Sequence, residues 1–530
     1  MGIYFNPGNE GFRKAAESKI YIDKSGLLNF TNELFREEKN CVSVSHARRF
    51  GKSQAAEMLE SYYSRGCNSK ELFSPLEISK SPDFEKHLNK YNVIHVDVSS
   101  FADDYKDDIV KAIKATLFKE IKTVYPDVDY NSSTASILAG VYEKTITPDN
   151  PNGIKFVIIL DEWDCVIRYF SDSPELVHEY MQFLHAMFKS KEAKTFLGLG
   201  YITGILPIKK IKDESALNNF KEYTMIQSDE LTPYFGFTEE EVRTLCTQYD
   251  MPFDSVKEWY NGYLINRKHM YNPNSVSEAM QKKKIAPYWK NTSAFETINT
   301  FITMNFDGLK EDIIAMLSGE KIYVNVRNFE NDFSTIANKD DALTALIHLG
   351  YLAFDEEERS AYIPNYEVSD AYQSAISKGN WTEVAKTISR CEELLLMTIK
   401  KKAEKVAELI ALSHETYTSI LKYNDENALS CAITMAYFTA PAYYTVVREF
   451  PSGKGFADIV MIPRADSGNK PAMIIELKYD KTADAAIRQI KENRYSGLLS
   501  GYGSEVLLVG INYDKDTKTH ECVIESALIK

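Results

Sequence analysis

Two hydrophobic rhythms run along this chain. Residues 41–45 are β-prone, 156–160 are five consecutive apolar residues, 92–99 alternate apolar with polar, and 195–203 are again largely apolar. Such runs predict strands, and the uninterrupted one predicts a strand buried on both faces. Between them, 54–63, 108–125 and 174–190 place apolar residues at helical spacing. Strands alternating with helices predict a parallel α/β sheet. Further on, 341–350 reads as a helix, followed by short strands at 351–354 and 361–364 around the acidic turn 355–358. That is a winged-helix-like order. Its acidic tip would repel phosphate, so an internal arm that relays a conformational state is expected rather than a DNA reader. Residues 381–413 are helix-prone with mixed charge. Three strands are expected at 443–450, 456–462 and 472–478, with a turn at 451–455 and a helix over 486–495.

Polar residues punctuate these elements where chemistry could sit. After the first strand comes His46-Ala-Arg-Arg-Phe-Gly-Lys-Ser53, then a helix. A strand, loop and helix in that order make a phosphate cradle from loop amides and the helix N-terminus. Gly51 would give the turn, Lys52 would reach the β- and γ-phosphates, and the Ser53 hydroxyl would hold Mg²⁺. His46 stands where the GxxxxGK[ST] pattern has its first glycine. The run 156–160 ends in Asp161 and Glu162, at the strand edge where open α/β sheets bind ligands. Asp161 would bind Mg²⁺, and Glu162 would orient or deprotonate the attacking water. Thr203, at the end of the 195–203 run, either senses the γ-phosphate or simply ends a strand.

The last third carries a second constellation. Glu476 and Lys478 lie two apart in a predicted strand, so both side chains point to one face. An acid and a lysine in an apolar strand are costly unless paired or functional. Asp458 lies near the start of the preceding strand. This D…ExK arrangement resembles the PD-(D/E)XK nuclease pattern, and the resemblance implies a phosphodiesterase in which Asp458 and Glu476 hold Mg²⁺, or Mn²⁺, and Lys478 positions water or stabilises charge on phosphorus. A structural Glu476–Lys478 ion pair is the competing account.

Composition narrows the partners. The 530-residue chain has net charge −14, which excludes binding nucleic acid through bulk charge but leaves a local basic contact open. Its seven cysteines form no CxxC pair, so reduced thiols are expected, not zinc. No apolar run reaches the ~18 residues that span a bilayer, and no signal-peptide core opens the chain. A cytoplasmic protein without a membrane partner is expected.

Residues 5–288 resemble the bacterial AAA-ATPase-like domain that usually precedes a PD-(D/E)XK nuclease-superfamily domain. The resemblance rests on Tyr21-Ile-Asp-Lys24, Arg48-Arg-Phe-Gly-Lys-Ser53, Leu160-Asp-Glu-Trp-Asp164, Ile202-Thr-Gly204, Phe235-Gly-Phe-Thr-Glu-Glu-Glu241, Trp259-Tyr-Asn-Gly-Tyr263 and Tyr271-Asn-Pro273 in that order. It implies ATP bound through Lys52 and Ser53, with Asp161 and Glu162 as metal and water residues. Arg48 and Arg49 would meet phosphate, a neighbouring subunit, or only a surface carboxylate, so a homo-oligomer stays open. Residues 415–529 resemble the nuclease partner of that domain. This implies supporting roles for Gln489 and Tyr495 on the helix after the third strand. It also implies one for Glu426, although an acid at a helix start needs no such role. The nuclease pattern usually has arginine where this chain has Phe456.

The expected architecture is therefore α/β in three parts. A P-loop NTPase domain, its parallel sheet flanked by helices on both faces, covers 1–288. A winged-helix-like and helical connector covers 289–414, and a restriction-endonuclease-like domain covers 415–530. ATP, Mg²⁺ and nucleic acid, DNA before RNA, are the expected ligands. The leading expectation is ATP-controlled metal-dependent cleavage of DNA. The competing one is a non-catalytic ATP-dependent switch whose C-terminal domain only holds nucleic acid or a protein.

Overall fold

The computed structural model describes the chain except residues 1, 106–107, 209–216, 290–297, 302, 304–305, 307, 318, 328, 330–335, 379–381, 418–428, 430–432, 434–435, 438, 441–442, 453–454, 464–469, 494–504 and 529–530. Glu426 and Tyr495 lie outside the described residues. Two compact units emerge. One comprises 1–253, 260–283 and 323–361, and the other 254–259, 284–322 and 362–530.

The first unit is built on a five-stranded sheet. Its strands are β1 (Cys41–Ser45), β2 (Asn92–Asp97), β3 (Phe156–Asp161), β4 (Leu197–Gly204) and β5 (Phe220–Thr224), in the order β2-β3-β4-β1-β5. Every adjacent pair is parallel. Phe156, Ile158 and Leu160 enter one core, while Val157 and Ile159 enter another on the opposite face. This is the period-2 alternation of a strand buried on both sides. Helix α1 (Lys52–Tyr63) covers one face, and α2 (Ile109–Val124) and α4 (Pro174–Phe188) cover the other, with the short α3 (Cys165–Tyr169) after β3. Burying each large apolar side chain of β3 contributes roughly 1.5–3 kcal/mol, so this strand anchors both cores and fixes the acids at its end.

Element edges differ from the sequence pattern in explicable ways. The alternating run ends at Asp97, whose carboxylate accepts from Ser99 N at 2.9 Å and caps a helix starting at Val98. β4 starts at Leu197 because Thr195 belongs to a helical turn, Ala193–Phe196. The middle helix α5 (Lys339–Leu349) ends on Gly350 at φ 81°, a left-handed stop suited to glycine. The strands Ala353–Asp355 and Ser360–Tyr362 follow it, with the acidic tip between them.

The second unit carries a mixed sheet: β6 (Tyr444–Ser452), β7 (Gly455–Pro463), β8 (Ala472–Tyr479), β9 (Glu505–Asp514) and β10 (Thr519–Leu528), paired in chain order. Only β8 and β9 run parallel. Pro451 and Ser452, expected in a turn, continue β6, and Gly455 begins β7. Helix α7 (Ala483–Glu492) crosses between the two parallel strands, and the Thr482 hydroxyl accepts from Ala485 N at 3.1 Å to start it. Helix α6 (Ala403–Tyr417) contributes Val406, Leu409 and Ile410 to the core on the other face.

Among the described residues no helix is long and apolar enough to cross a membrane. Six cysteines among the described residues are free, with Cys41, Cys165, Cys246 and Cys391 buried. Burial pushes the Cys41 and Cys522 thiols up to about 12.

Candidate active sites

The loop 46–51 joins β1 to α1 at the C-terminal edge of the parallel sheet. Gly51 sits at φ 88° and Arg49 at φ 68°. A Cβ on Gly51 would meet nothing within 4 Å, so the glycine is needed for its backbone angle and not for space. Lys52 begins α1, is buried, and donates to the carbonyls of His46 at 2.8 Å and Ala47 at 3.0 Å. Burial lowers its pKa, opposed by Glu162, Asp161 and Asp164.

His46 accommodates the missing glycine by turning away from the loop's open side. Its ring is fully buried, lies 5.2 Å from Phe235, and meets the Ser228 hydroxyl at 2.5 Å. Burial, then the charges of Lys52 and His348, holds its pKa down to about 3, so it is neutral. The replacement thus adds no charge to the loop.

A cavity of about 850 Å³ opens beside this loop. Arg49, Gly51, Lys52, Ser53, Asp161 and Glu162 all line it, as the sequence predicted for one site. Phe12 and Tyr21 also line it, packed edge-on with ring centroids 6.1 Å apart. The Tyr21 hydroxyl is buried with no hydrogen-bond partner among the described residues. The Tyr21-Ile-Asp-Lys24 phrase is anchored nearby by Lys24. This residue donates to both Glu241 carboxylate oxygens, at 2.6 and 2.7 Å, and to Pro233 O at 2.7 Å.

Thr203, the penultimate residue of β4, holds Asp161. It is fully buried, does not line the cavity, and donates its hydroxyl to Asp161 Oδ1. That same oxygen accepts from Glu162 N at 3.0 Å. Glu162 lies at φ 50°, a left-handed turn directly after the strand. Burial raises its pKa, while Lys52 and Arg168 oppose the shift.

Two residues without an assigned role from sequence complete the site. Arg168, on α3, bonds Glu162 Oε2 at 2.6 Å and Asp164 Oδ2 at 2.9 Å. Asp164 is fully buried and also accepts from Ile205 N at 3.1 Å and Leu206 N at 2.9 Å. The 164/168 spacing, one helical turn, was the available signal. These bonds give the phrases Leu160–Asp164 and Ile202–Gly204 a shared physical reason. Gly204 leaves room for Asp164, because a Cβ there would meet Asp164 Oδ1 at 2.6 Å. Gly204→Ala is therefore expected to cost about 1–3 kcal/mol and to lower the urea midpoint, whereas an unchanged midpoint would show that the carboxylate can move.

The second constellation lies on the α7 face of the mixed sheet. Ile459 pairs with Ile475 in the antiparallel register, which sets Asp458 opposite Glu476. Asp458 Oδ2 accepts from Leu477 N at 2.7 Å. Lys478 Nζ bonds Glu476 Oε1 at 3.1 Å and Leu477 O at 3.0 Å. Gln489, reaching down from α7, donates its amide to the same Glu476 oxygen. The structure thus brings Asp458, Glu476, Lys478 and Gln489 together. Glu476 is 1% exposed, and its Oε2 is buried with no hydrogen-bond partner among the described residues. Burial first, then the Asp458 charge, raises its pKa to about 7 against the opposing pull of Lys478. A buried carboxylate oxygen with nothing to bind, beside a second carboxylate, suits a hard divalent cation. The exposed Ser53 hydroxyl and the Asp161 carboxylate offer oxygens of the same kind at the first site.

Known proteins can now be set beside this geometry. The chain is 21% identical to the "Uncharacterized protein in vnfD 5'region" of Azotobacter chroococcum mcd 1 over 538 residues, covering 97% of this chain and 96% of that one. Among solved structures, a Walker-type ATPase of Pyrococcus abyssi has 12% identity and a TM-score of 0.34, covering 66% of this chain and 96% of its own. The Aeropyrum pernix ORC2 protein, described as ADPNP-ADP complexes, has 11% identity and a TM-score of 0.32, with 70% and 98% covered. Neither assigns a role to a residue here. Residues 8–212 match the family described as predicted AAA-ATPase, and residues 424–522 match the PD-(D/E)XK nuclease superfamily. The chain therefore joins an AAA-ATPase-like domain to a C-terminal PD-(D/E)XK nuclease-superfamily domain.

Proposed function

We propose that this protein binds and hydrolyses ATP and cleaves DNA with a divalent metal under ATP control. The observation that carries the reading is that each site assembles two carboxylates and a buried lysine, Asp161, Glu162 and Lys52 in one, Asp458, Glu476 and Lys478 in the other.

At the first site the triphosphate would lie along 46–53. Lys52 supplies charge to the β- and γ-phosphates, and the loop amides orient them. Ser53 and Asp161 would hold Mg²⁺, with Thr203 fixing the Asp161 rotamer. Glu162 orients the attacking water. At the second site Asp458 and Glu476 would hold Mg²⁺ or Mn²⁺. A divalent ion in such a site acidifies water and neutralises charge on the phosphate. Lys478 places its ammonium toward the developing charge, and Gln489 keeps the Glu476 carboxylate aimed. ATP use and free cysteines fit a cytoplasmic setting.

One observation favours a second reading, a regulator whose C-terminal domain only holds nucleic acid or a protein. Asp458 Oδ2 and Glu476 Oε1 already accept protein donors, so the acids have structural work without a metal. Calorimetric titration with Mg²⁺ separates the readings. Binding lost in Glu476→Ala supports the nuclease, and no heat in the native protein supports the regulator.

The direct test incubates the protein with plasmid DNA, single-stranded DNA and RNA, with Mg²⁺ or Mn²⁺, with and without ATP. Cleavage by the native chain and not by Glu476→Ala is expected, faster or slower with ATP. Phe456, 63% exposed, precedes Asp458 by two positions on the same strand. Phe456→Arg should add one phosphate contact, tightening DNA binding severalfold and steepening the log K–log salt slope by ~0.7–0.9. An unchanged slope would place the DNA elsewhere.

A further inference from the structure

We infer that Arg168 is a positioning residue for hydrolysis: its guanidinium sets the Glu162 carboxylate and ties that setting to the loop after β4. The inference rests on the ATPase reading above. Arg168 is the last link of a short chain of charged bonds. Ile205 N and Leu206 N fix Asp164 Oδ2 at 3.1 and 2.9 Å, Asp164 fixes Arg168 Nε at 2.9 Å, and Arg168 fixes Glu162 Oε2 at 2.6 Å through its other arm. The Arg168 side chain is 6% exposed and that of Asp164 is fully buried, so neither is a surface pair of negligible strength.

The geometry needs an arginine. A planar guanidinium can bridge two carboxylates with fixed angles, whereas an ammonium is a point charge that holds neither in orientation. Glu162 needs such a guide because its backbone leaves the strand in a left-handed turn, at φ 50°, and its neighbour Asp161 is already fixed by Thr203. Asp161 is thus set by β4 itself, and Glu162 by the residues that follow β4. Of the two acids only Glu162 is held by Arg168, so loss of the guanidinium releases Glu162 while Thr203 still holds Asp161. Turnover can then fall while nucleotide affinity stays constant.

The test is a double-mutant cycle in the full chain, measuring ATP turnover and the dissociation constant for a fluorescent ATP analogue with Mg²⁺. Arg168→Gln is expected to lower kcat by about 10–100-fold, the scale of a misplaced catalytic group, with affinity within about threefold. In a Glu162→Gln background the same change should lower kcat by no more than about twofold, because its target is gone. Arg168→Lys preserves the buried charge should Arg168→Gln not fold. It should bind nucleotide normally and turn over nearly as slowly as Arg168→Gln. The inference is overturned if affinity falls as far as kcat, which would make Arg168 a phosphate contact. It is also overturned if the kcat loss is equal in both backgrounds, or if Arg168→Lys keeps native turnover. Failure of the ATPase reading looks different: the native chain would show no turnover and Glu162→Gln would change nothing.

Discussion

Lys52→Ala is expected to abolish ATP turnover and to remove most nucleotide affinity, a loss of at least about 100-fold, because Lys52 does three things at once. Its ammonium is the buried positive charge facing Asp161 and Glu162 across the cavity. Without it, two carboxylates would confront a polyanion in a poorly solvated site, where unscreened repulsion costs several kcal/mol. It also ties the loop carbonyls of His46 and Ala47 to α1. Leaving these without a donor costs roughly 1–3 kcal/mol and loosens the cradle itself. Lastly, it compensates the burial of Asp164 and Glu162. In the native protein, ATP at about 100 times its dissociation constant should stabilise the fold by ~2.7 kcal/mol. Thermal melts should show that shift with Mg-ATP and none in Lys52→Ala. Turnover within threefold of native would mean that phosphates do not sit on this loop.

The second large effect concerns Glu476. Glu476→Gln should lower metal-dependent cleavage by at least about 10³-fold while making the metal-free protein more stable at neutral pH. The two outcomes share one cause. Burial and Asp458 raise the Glu476 pKa to about 7 from 4.5, so the folded state holds a proton more tightly than the unfolded state. The sign follows from linkage. The contribution to stability is complete below about pH 4.5, declines between 4.5 and 7, and is gone above that. At pH 8 the ionised carboxylate therefore strains the fold by an amount of order 1–3 kcal/mol. Glutamine keeps the shape and can keep the contact with Gln489 after an amide flip, but it carries no charge. Urea midpoints of native and variant protein, measured in chelator at about pH 4 and about pH 8, should agree at the lower pH and diverge at the higher. Added Mg²⁺ should raise the native midpoint and not the variant's. A variant less stable than native at pH 8 would show that the Lys478 ion pair outweighs the buried charge.

How far the residues alone reveal these sites depends on the distance over which each signal acts. The strand, loop and helix around Lys52 are legible because every part lies within one stretch of chain. So are Glu476 and Lys478, which period-2 geometry alone places on one face. Asp458 was legible as the acid of the preceding strand, though the register that sets it opposite Glu476 comes only from pairing. Thr203 shows where local reading stops. A threonine at a strand end faces the ligand edge of the sheet in projection, but parallel pairing with β3 turns its hydroxyl onto Asp161 instead. Arg168 was missed for a similar reason: its partners are separated from it by four and six residues, and its anchor at 205–206 by a whole helix and strand. β5 is not legible because Phe220-Lys-Glu-Tyr-Thr224 buries only Phe220, in one core, and Tyr223, in the core of the opposite face, a spacing of three that shows neither an alternating nor a continuous apolar run. His46 stands in the place of a glycine in the loop pattern, but its ring has a place in the core and its backbone carbonyl accepts from Lys52.

The buried thiols give the molecule an internal clock for unfolding. Cys41 and Cys165 are sealed in one unit and Cys391 in the other, and burial keeps the Cys41 sulfur protonated at neutral pH. A thiol reagent therefore reacts with each only when its surroundings open. Mass spectrometry of peptides after brief alkylation would then give, cysteine by cysteine, the order in which the two units come apart, with no engineered probe.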